Sequence, residues 1–482
     1  MRRLLSLLIC AALFRLSALA LPPAPATVRG HLDHAPAGDT VRIQYGRNYG
    51  PRAFKAPLSP AGDFSLVVPA LRGPTVAELD YAGQHTTLYL TPGDALTLTL
   101  DFPRFDETLR YSGRGAEANN YLAQALYKFE YGPAGAIPRP PDQLTAATTP
   151  EQARREADAF RQARQAFLTA YAQDHPLPAA FQRAAAAHIN LGWALSLLQY
   201  PALHQRLAHQ AAVLPATYYD FLAQLPPHTL DLPGPTLDRG IMDNGLAYMC
   251  LEFYGMHLLP GGALSTDPAE AERLYAQATA ELRSALIGEQ AVSLLISNQV
   301  KTNLPGVEAA YPAFRAHNRD SVHVRDLRRA MARQRLVQAG RVAPAFTLAD
   351  NTGKPVSITD FKGKVVYLDF WGTWCRPCMA EMPASNALKQ QFAGRDVVFL
   401  YISVRDKESQ WQRVLAEAHL TGPSSVHLRS PEGDYTVPTA YNVGGYPSYV
   451  LIGRDGRIRL SNAPRPSAGA ETVAALEQAL KE

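Results

Sequence analysis

The apolar run from Val365 to Trp371, which leads into two cysteines, constrains the fold of this chain more than any other feature. It reads VVYLDFW and is followed by GTWCRPC, which contains Cys375 and Cys378. A short continuous apolar run bounded by turn residues is typical of a strand buried on both faces. The residues that follow, up to Phe392, have helical spacing. The sequence therefore predicts that the cysteines lie where a central strand passes into a helix, at the carboxyl end of the strand.

The composition indicates a folded multidomain protein. The chain has 482 residues, of which 47% are apolar and 19% charged, and this length is too great for one hydrophobic core. The net charge of +4 points to neither a nucleic acid nor an acidic membrane surface as a partner. No His residues are paired at metal-ligand spacing, so no metal site is predicted.

The amino terminus has the layout of a secretory signal peptide. Two arginines precede an apolar stretch, and the small residues Ala18 and Ala20 flank Leu19 before the expected cleavage point. We expect residues 1–20 to be removed and the protein to be exported, to the periplasm or the cell envelope. An uncleaved segment would instead anchor the chain to the membrane.

The remaining chain divides into three predicted segments. Residues 21–112 contain short alternating strands, which indicate an antiparallel β-sandwich-like domain. Residues 113–338 form a mainly helical region, with a helix start at Thr149-Pro150 followed by Gln152. Residues 339–482 alternate strands and helices and end in a hairpin and a helix, which predicts an α/β layer with a partly parallel sheet. The stretch Gln338–Pro344, QAGRVAP, reads as a linker.

The two cysteines fit a redox pair better than the alternatives. Cys375 is expected at the start of the helix, where free N–H groups and the helix dipole stabilise a thiolate, and Cys378 lies one turn further on the same face. The spacing supplies one thiol that attacks and one that resolves the mixed disulfide. A structural zinc site needs four ligands, and a structural disulfide this short constrains the unfolded chain little. Cys250 lies in an apolar run and is predicted to be a small buried hydrophobe.

Two carboxylates accompany the pair. Asp369 interrupts the apolar strand, where an unpaired buried acid is costly, and Glu381 follows Cys378 by one helical turn. Either could exchange a proton with Cys378. An acid in the first turns of a helix is also a common stabilising feature, so the residues alone do not decide between them.

The segment resembles the TlpA/ResA family of exported thiol-disulfide oxidoreductases. The resemblance lies in APAFTL from Ala343, FKGKVVYLDFWGTWCRPCMAEMP from Phe361 and GGYPSYVLI from Gly444. It implies a thioredoxin-like fold for residues 339–482, with Cys375 as exposed nucleophile, Cys378 as resolving thiol and Glu381 as the active-site carboxylate. Asp369 matches the buried acid of thioredoxin itself.

The resemblance also implies how a substrate is bound. Pro447 matches the family's cis-proline, which faces the cysteine pair, Tyr446 offers backbone groups to an extended substrate, and Trp374 matches the aromatic residue before the nucleophile. No cofactor is expected beyond the redox-active disulfide. The partners would be protein thiols or disulfides, and a reductase would also need an upstream electron donor.

Three functions are compatible with these features. The first is an exported thiol-disulfide oxidoreductase that reduces protein disulfides or, as the less favoured direction, oxidises protein thiols; the residues do not fix the direction. The second is a thiol peroxidase, although Thr373 lies two residues before Cys375, whereas the peroxidase motif has its threonine three residues before the cysteine. The third is a surface or periplasmic binding protein whose redox domain is ancillary.

Overall fold

A computed structural model describes residues 23–45, 52–132, 139–225, 241–318, 321–417, 420–422 and 425–482. The predicted signal peptide lies outside these ranges. Among the residues described, no helix is both long and apolar enough to cross a membrane. The chain divides into two compact units, one of residues 1–258 and 277–291 and the other of residues 259–276 and 292–482. The segment boundaries predicted from the sequence stay predictions.

In its described residues the first unit begins with eight strands in two four-stranded sheets. The strands are β1 (Ala24–Asp33), β2 (Thr40–Tyr45), β3 (Arg52–Pro57), β4 (Asp63–Leu71), β5 (Thr75–Tyr81), β6 (Gln84–Leu90), β7 (Ala95–Asp101) and β8 (Arg110–Arg114). The sheet orders are β4-β1-β7-β8 and β3-β2-β5-β6. Side chains alternate along the strands and form one shared core. The purely antiparallel expectation is wrong, because β1 and β7 pair in parallel. The strands β2 to β6 separate them in sequence, so they are joined by a long connection and not by a hairpin.

A series of helices follows the strands, as the sequence predicts, apart from the short α1, which lies between β7 and β8. Their bounds are α1 (Phe105–Thr108), α2 (Ala116–Leu126), α3 (Pro150–Asp174), α4 (Ala179–Ala208), α5 (Ile241–Leu258), α6 (Pro268–Leu282), α7 (Ala285–Asn298), α8 (Leu304–His317) and α9 (Ser321–Leu336). The predicted start of α3 is confirmed, because Thr149 and Gln152 form a reciprocal capping box. Cys250 is fully buried in α5, and burial raises the pKa of its thiol, which makes it an inert core residue.

The second unit contains a seven-stranded sheet between two apolar layers. Helices α8 and α9 belong to this unit, and its remaining elements after them are β9 (Thr347–Asp350), β10 (Pro355–Ser357), β11 (Val365–Trp371), α10 (Arg376–Gln391), β12 (Val397–Ser403), α11 (Glu408–Glu417), β13 (Ser425–Arg429), α12 (Thr436–Ala440), β14 (Ser448–Ile452), β15 (Ile458–Leu460) and α13 (Ala470–Lys481). The strand order is β10-β9-β13-β12-β11-β14-β15. Strand β11 pairs in parallel with β12 and antiparallel with β14. The partly parallel sheet predicted from the sequence is thus confirmed, with β11 inside it.

The predicted linker before this sheet is not a free linker. The N–H of Gly340 donates to the carbonyl of Ile458 over 2.8 Å, and Val342 forms a β-bridge with Arg457. The stretch therefore lies along β15 as an extra partner of the sheet. The Gly and polar residues of this stretch are typical of a linker. The sequence alone does not show that β15 is the edge strand of the sheet and has backbone groups free to pair with it.

Candidate active site

Strand β11 delivers the cysteine pair to the start of α10. All seven residues of the strand are buried, and Cys375 is the N-cap of the helix. The two cysteines form a disulfide, and the N–H of Cys378 donates to the sulfur of Cys375 over 3.2 Å. A backbone N–H at a helix start stabilises negative charge on the atom that it contacts. The site is therefore built to hold a thiolate at Cys375.

The expectation of an exposed nucleophile is wrong for this oxidised pair. Cys375 is 4% exposed and Cys378 is 1% exposed. Both belong to the apolar cluster between the sheet and α10, and the ring of Tyr446 packs against that cluster. Cys375 is the more exposed of the two sulfur-bearing residues, but by a small margin.

Three groups hold the aromatic side chain before the nucleophile. Trp374 is 44% exposed, and its indole N–H donates to the carbonyl of Val404 over 2.9 Å. Its ring meets Tyr446 edge to face at 5.5 Å between centroids. The guanidinium of Arg405 lies 4.6 Å from the ring centroid, within cation–π range. Trp374 is thus a fixed, partly exposed platform beside the disulfide.

Asp406 organises the turn that carries Trp374. It is 2% exposed and accepts hydrogen bonds from the N–H of Thr373 at 2.9 Å and from the Thr373 hydroxyl at 2.6 Å. The hydroxyl of Ser403 donates to it as well. Sequence reasoning missed Asp406, and the only available signal was an acid three residues after a buried strand.

Asp369 lies on the face of β11 that packs toward α10. Side chains alternate along a strand, so Asp369 shares this face with Tyr367 and Trp371, which belong to the same cluster as the cysteines. It is 3% exposed, and its Oδ1 has no hydrogen-bond partner among the described residues. Burial raises its pKa well above the ordinary value, and the nearby charge of Glu381 raises it further.

Tyrosines on both neighbouring strands surround Asp369. Tyr401 on β12 and Tyr449 on β14 stand directly opposite it in the sheet register. Both are 2% exposed, and burial raises the pKa of each phenol. This dry environment explains why the charged form of Asp369 is disfavoured.

Glu381 is in a different situation because Ser467 occupies both of its oxygens. The Ser467 N–H donates to Oε2 over 2.9 Å and its hydroxyl donates to Oε1 over 2.8 Å. Ser467 lies in a short 3-10 helix, Pro466–Ala468, far along the chain. Sequence reasoning missed it, since no motif links it to the cysteines. The two acids are close, but only Asp369 has an oxygen without a partner in the described structure.

The loop before β14 completes the site. The peptide bond between Tyr446 and Pro447 is cis, as the family resemblance implies. Pro447 precedes Ser448, which pairs with Phe370 near the end of β11, so the loop lies at the same edge of the sheet as the cysteines. Within the described ranges no three His, Cys, Asp or Glu side chains are grouped as a metal site would require.

Comparisons with known proteins match the C-terminal part of the chain. A Redoxin family model matches residues 338–480. The thioredoxin domain of a thiol-disulfide oxidoreductase from Bacteroides vulgatus is a similar solved structure. It is 27% identical, with 29% of this chain and 96% of that chain covered and a TM-score of 0.27.

Two relatives are similar over the same region. "Thioredoxin-like protein YneN" of Bacillus subtilis is 34% identical over 125 residues, which are 26% of this chain and 70% of that protein. "Thiol-disulfide oxidoreductase ResA" of Bacillus cereus is 34% identical over 122 residues, which are 25% of this chain and 68% of that protein. The chain therefore belongs, through its C-terminal domain, to the ResA family of thioredoxin-like thiol-disulfide oxidoreductases.

Proposed function

We propose that the protein is an exported reductase of protein disulfides in which Cys375 attacks and Cys378 resolves. The observation that carries this proposal is the position of Cys375 as N-cap of the 16-residue helix α10, with the Cys378 N–H on its sulfur. That contact favours the thiolate on Cys375 over one on Cys378. Export is supported by the signal-like first 20 residues.

The proposed reaction consumes two thiols and one disulfide. The Cys375 thiolate attacks a substrate sulfur, and the released substrate thiolate takes a proton from solvent. Asp369 loses its own proton to solvent, and the resulting carboxylate takes the proton of Cys378, so that the Cys378 thiolate can attack the sulfur of Cys375. This releases the second substrate thiolate, which is protonated in turn. The substrate gains two electrons and the protein is left with the Cys375–Cys378 disulfide, which a thiol-bearing donor must reduce again.

We assign the proton transfer to Asp369 because its carboxyl is the one with a free oxygen and a raised pKa. A carboxylate whose pKa is raised is a stronger base than that of an ordinary aspartate. Glu381 would contribute charge and position, fixed by Ser467. Trp374, Tyr446 and Pro447 would form the surface that receives the substrate chain.

Two measurements test the proposal. In a protein-disulfide reduction assay, Cys375→Ser should abolish turnover, whereas Cys378→Ser should accumulate a mixed disulfide with the substrate through Cys375. The reduction potential of the pair against glutathione should lie nearer to about −270 mV than to about −120 mV, the span of thioredoxin-fold proteins. A potential at the upper end would contradict the reductase assignment, and turnover that survives Cys375→Ser would contradict the assignment of the nucleophile.

A further inference from the structure

The turn between α7 and α8 places a lysine against the loop that contains the cis-proline. A Cβ atom on Gly444 would lie only 3.0 Å from Nζ of Lys301, so the ammonium group directly faces Gly444. Gly444 is two residues before Tyr446 and three before Pro447. Lys301 thus reaches the edge of the proposed substrate surface from a part of the chain outside residues 338–480, which match the Redoxin family.

Gln334 of α9 fixes this arrangement. It is 4% exposed, and its amide N–H₂ donates to the hydroxyl of Ser461 at 2.9 Å and, more weakly, to the carbonyl of Lys301 at 3.4 Å. Its carbonyl accepts from the side chain of Asn442 at 2.8 Å. Asn442 precedes Gly444 by two residues. One buried side chain therefore ties the lysine turn and the cis-proline loop together, so Lys301 is held beside the site.

A second cation, that of Arg405, lies at the same site. Its guanidinium lies over Trp374, which in turn contacts Tyr446. Arg405 has a φ of +68°, a left-handed conformation that is unfavourable for a residue other than glycine. Such conformations are concentrated at functional sites, where the surrounding structure maintains them.

These two cations have no acidic partner in the described part of the chain. Neither Lys301 nor Arg405 lies within ion-pair distance of a carboxylate of the described residues. Other arginines of this unit, such as Arg395 and Arg429, do form ion pairs. Desolvation and the nearby charge of Arg333 both lower the pKa of Lys301, as is expected for an ammonium group without a compensating anion. A carboxylate from a bound partner would supply that anion.

We propose that Lys301 and Arg405 select substrates that carry acidic side chains next to the reactive cysteine. The inference rests on the proposed reductase function and adds the substrate class to it. A segment bound along Tyr446 and Pro447 would bring its flanking residues near Lys301, which faces Gly444, and near Arg405, which lies over Trp374. Acidic flanking residues would be attracted, and neutral ones would not.

The test uses two peptide disulfides that differ only in having Glu or Gln beside each cysteine. Single-turnover rates of the pre-reduced full-length protein should favour the Glu peptide by about tenfold at low salt, with the preference reduced at high salt. Lys301→Gln and Arg405→Asn should each lower the preference by about threefold, the effect of one charge pair about 6 Å apart in water. Asn is chosen at Arg405 because it tolerates the left-handed conformation.

Two further variants sharpen the test. The Glu peptide should react more slowly with Lys301→Glu than with Lys301→Gln, because like charges repel. A loss of folding would slow both peptides alike, so a slower reaction of the Glu peptide alone reports the charge. Lys362→Gln is the matched control, since Lys362 is exposed and precedes β11, at the end of the strand opposite the cysteines. It should leave the preference unchanged.

The outcomes separate the two proposals. Equal rates for both peptides in the wild type would overturn the substrate inference and leave the reductase function standing. A preference that persists in Lys301→Gln and Arg405→Asn would also overturn it. A wild type that reduces neither peptide nor any protein disulfide would overturn the proposed function and the inference together.

Discussion

Replacing Asp369 with Asn tests the central claim about the site, namely that this carboxyl carries the proton. Asp369 is buried between Tyr401 and Tyr449, and its Oδ1 lacks a hydrogen-bond partner among the described residues. Burial, together with the charge of Glu381, raises its pKa. Asn has nearly the shape of the protonated carboxyl and cannot ionise, so Asp369→Asn removes the titration with little change in packing.

The magnitude follows from proton linkage. Above the ordinary pKa of an aspartate the unfolded chain has lost the proton, while the folded protein keeps it until pH reaches the raised pKa. The stability contributed by this proton is complete below the ordinary pKa and is lost as pH rises through the raised value. The free energy of unfolding therefore falls by about 1.4 kcal/mol for each pH unit in this window. Asp369→Asn lacks this slope. The difference in free energy of unfolding between the variant and the wild type should therefore grow in favour of the variant by about 1.4 kcal/mol for each pH unit.

Activity should change in the opposite direction. Without a proton acceptor for Cys378, the mixed disulfide should resolve more slowly by at least about a hundredfold, the lower end of general acid–base effects. If Asp369→Asn is more stable than the wild type and less active, the carboxyl of Asp369 serves the reaction at a cost in stability.

The stability slope is measured by hydrogen exchange of the β11 amides in the oxidised protein across about pH 5 to 8, corrected for intrinsic exchange rates. The disulfide keeps the thiols from titrating. Asp396→Asn is the control, because Asp396 is exposed. Parallel stability curves for Asp369→Asn and the wild type would refute the raised pKa. Full activity in Asp369→Asn with loss of activity in Glu381→Gln would assign the proton transfer to Glu381.

Two other predictions concern groups around the site. Burial lowers the pKa of His427 to about 4. The folded state should therefore lose about 3 kcal/mol of stability as pH falls from about 6.5 to about 4. His427→Asn should flatten this part of the stability profile, and an unchanged slope in the variant would contradict the lowered pKa. Ser467→Ala removes the hydrogen bond from the Ser467 hydroxyl to Glu381. It should lower the free energy of unfolding of the C-terminal domain by about 1.5–3 kcal/mol, measured with denaturant. Ser409→Ala is the control, since Ser409 is exposed, and it should lower this free energy much less.

The sequence predicts much of this site because its parts are local. A seven-residue apolar run, a turn and two cysteines at helical spacing together define the strand, the junction and the N-cap position of Cys375. The hairpin predicted near the end of the sequence is that of β14 and β15, and its turn contains Gly456 with a φ of +75°. In each case neighbouring residues decide the conformation.

The missed features depend on contacts between distant residues. Ser467 reaches Glu381 across 86 positions and Gln334 reaches Asn442 across 108. Asp406 approaches Thr373 only because β11 and β12 are adjacent in the sheet. The parallel pairing of β1 with β7 was missed for the same reason. No periodicity or turn signal encodes which distant side chains meet, so these partners required the fold.

The choice between Asp369 and Glu381 shows what the fold adds to the chemistry. By sequence both are acids near Cys378, and the residues alone gave no reason to separate their roles. In the structure the two acids differ in their hydrogen bonds. Ser467 donates to both oxygens of Glu381, which fixes Glu381 as an acceptor. Its negative charge then helps to keep the proton on the other. We therefore regard Glu381 as a group that tunes Asp369, so that removing either acid alters the proton transfer, but for different reasons.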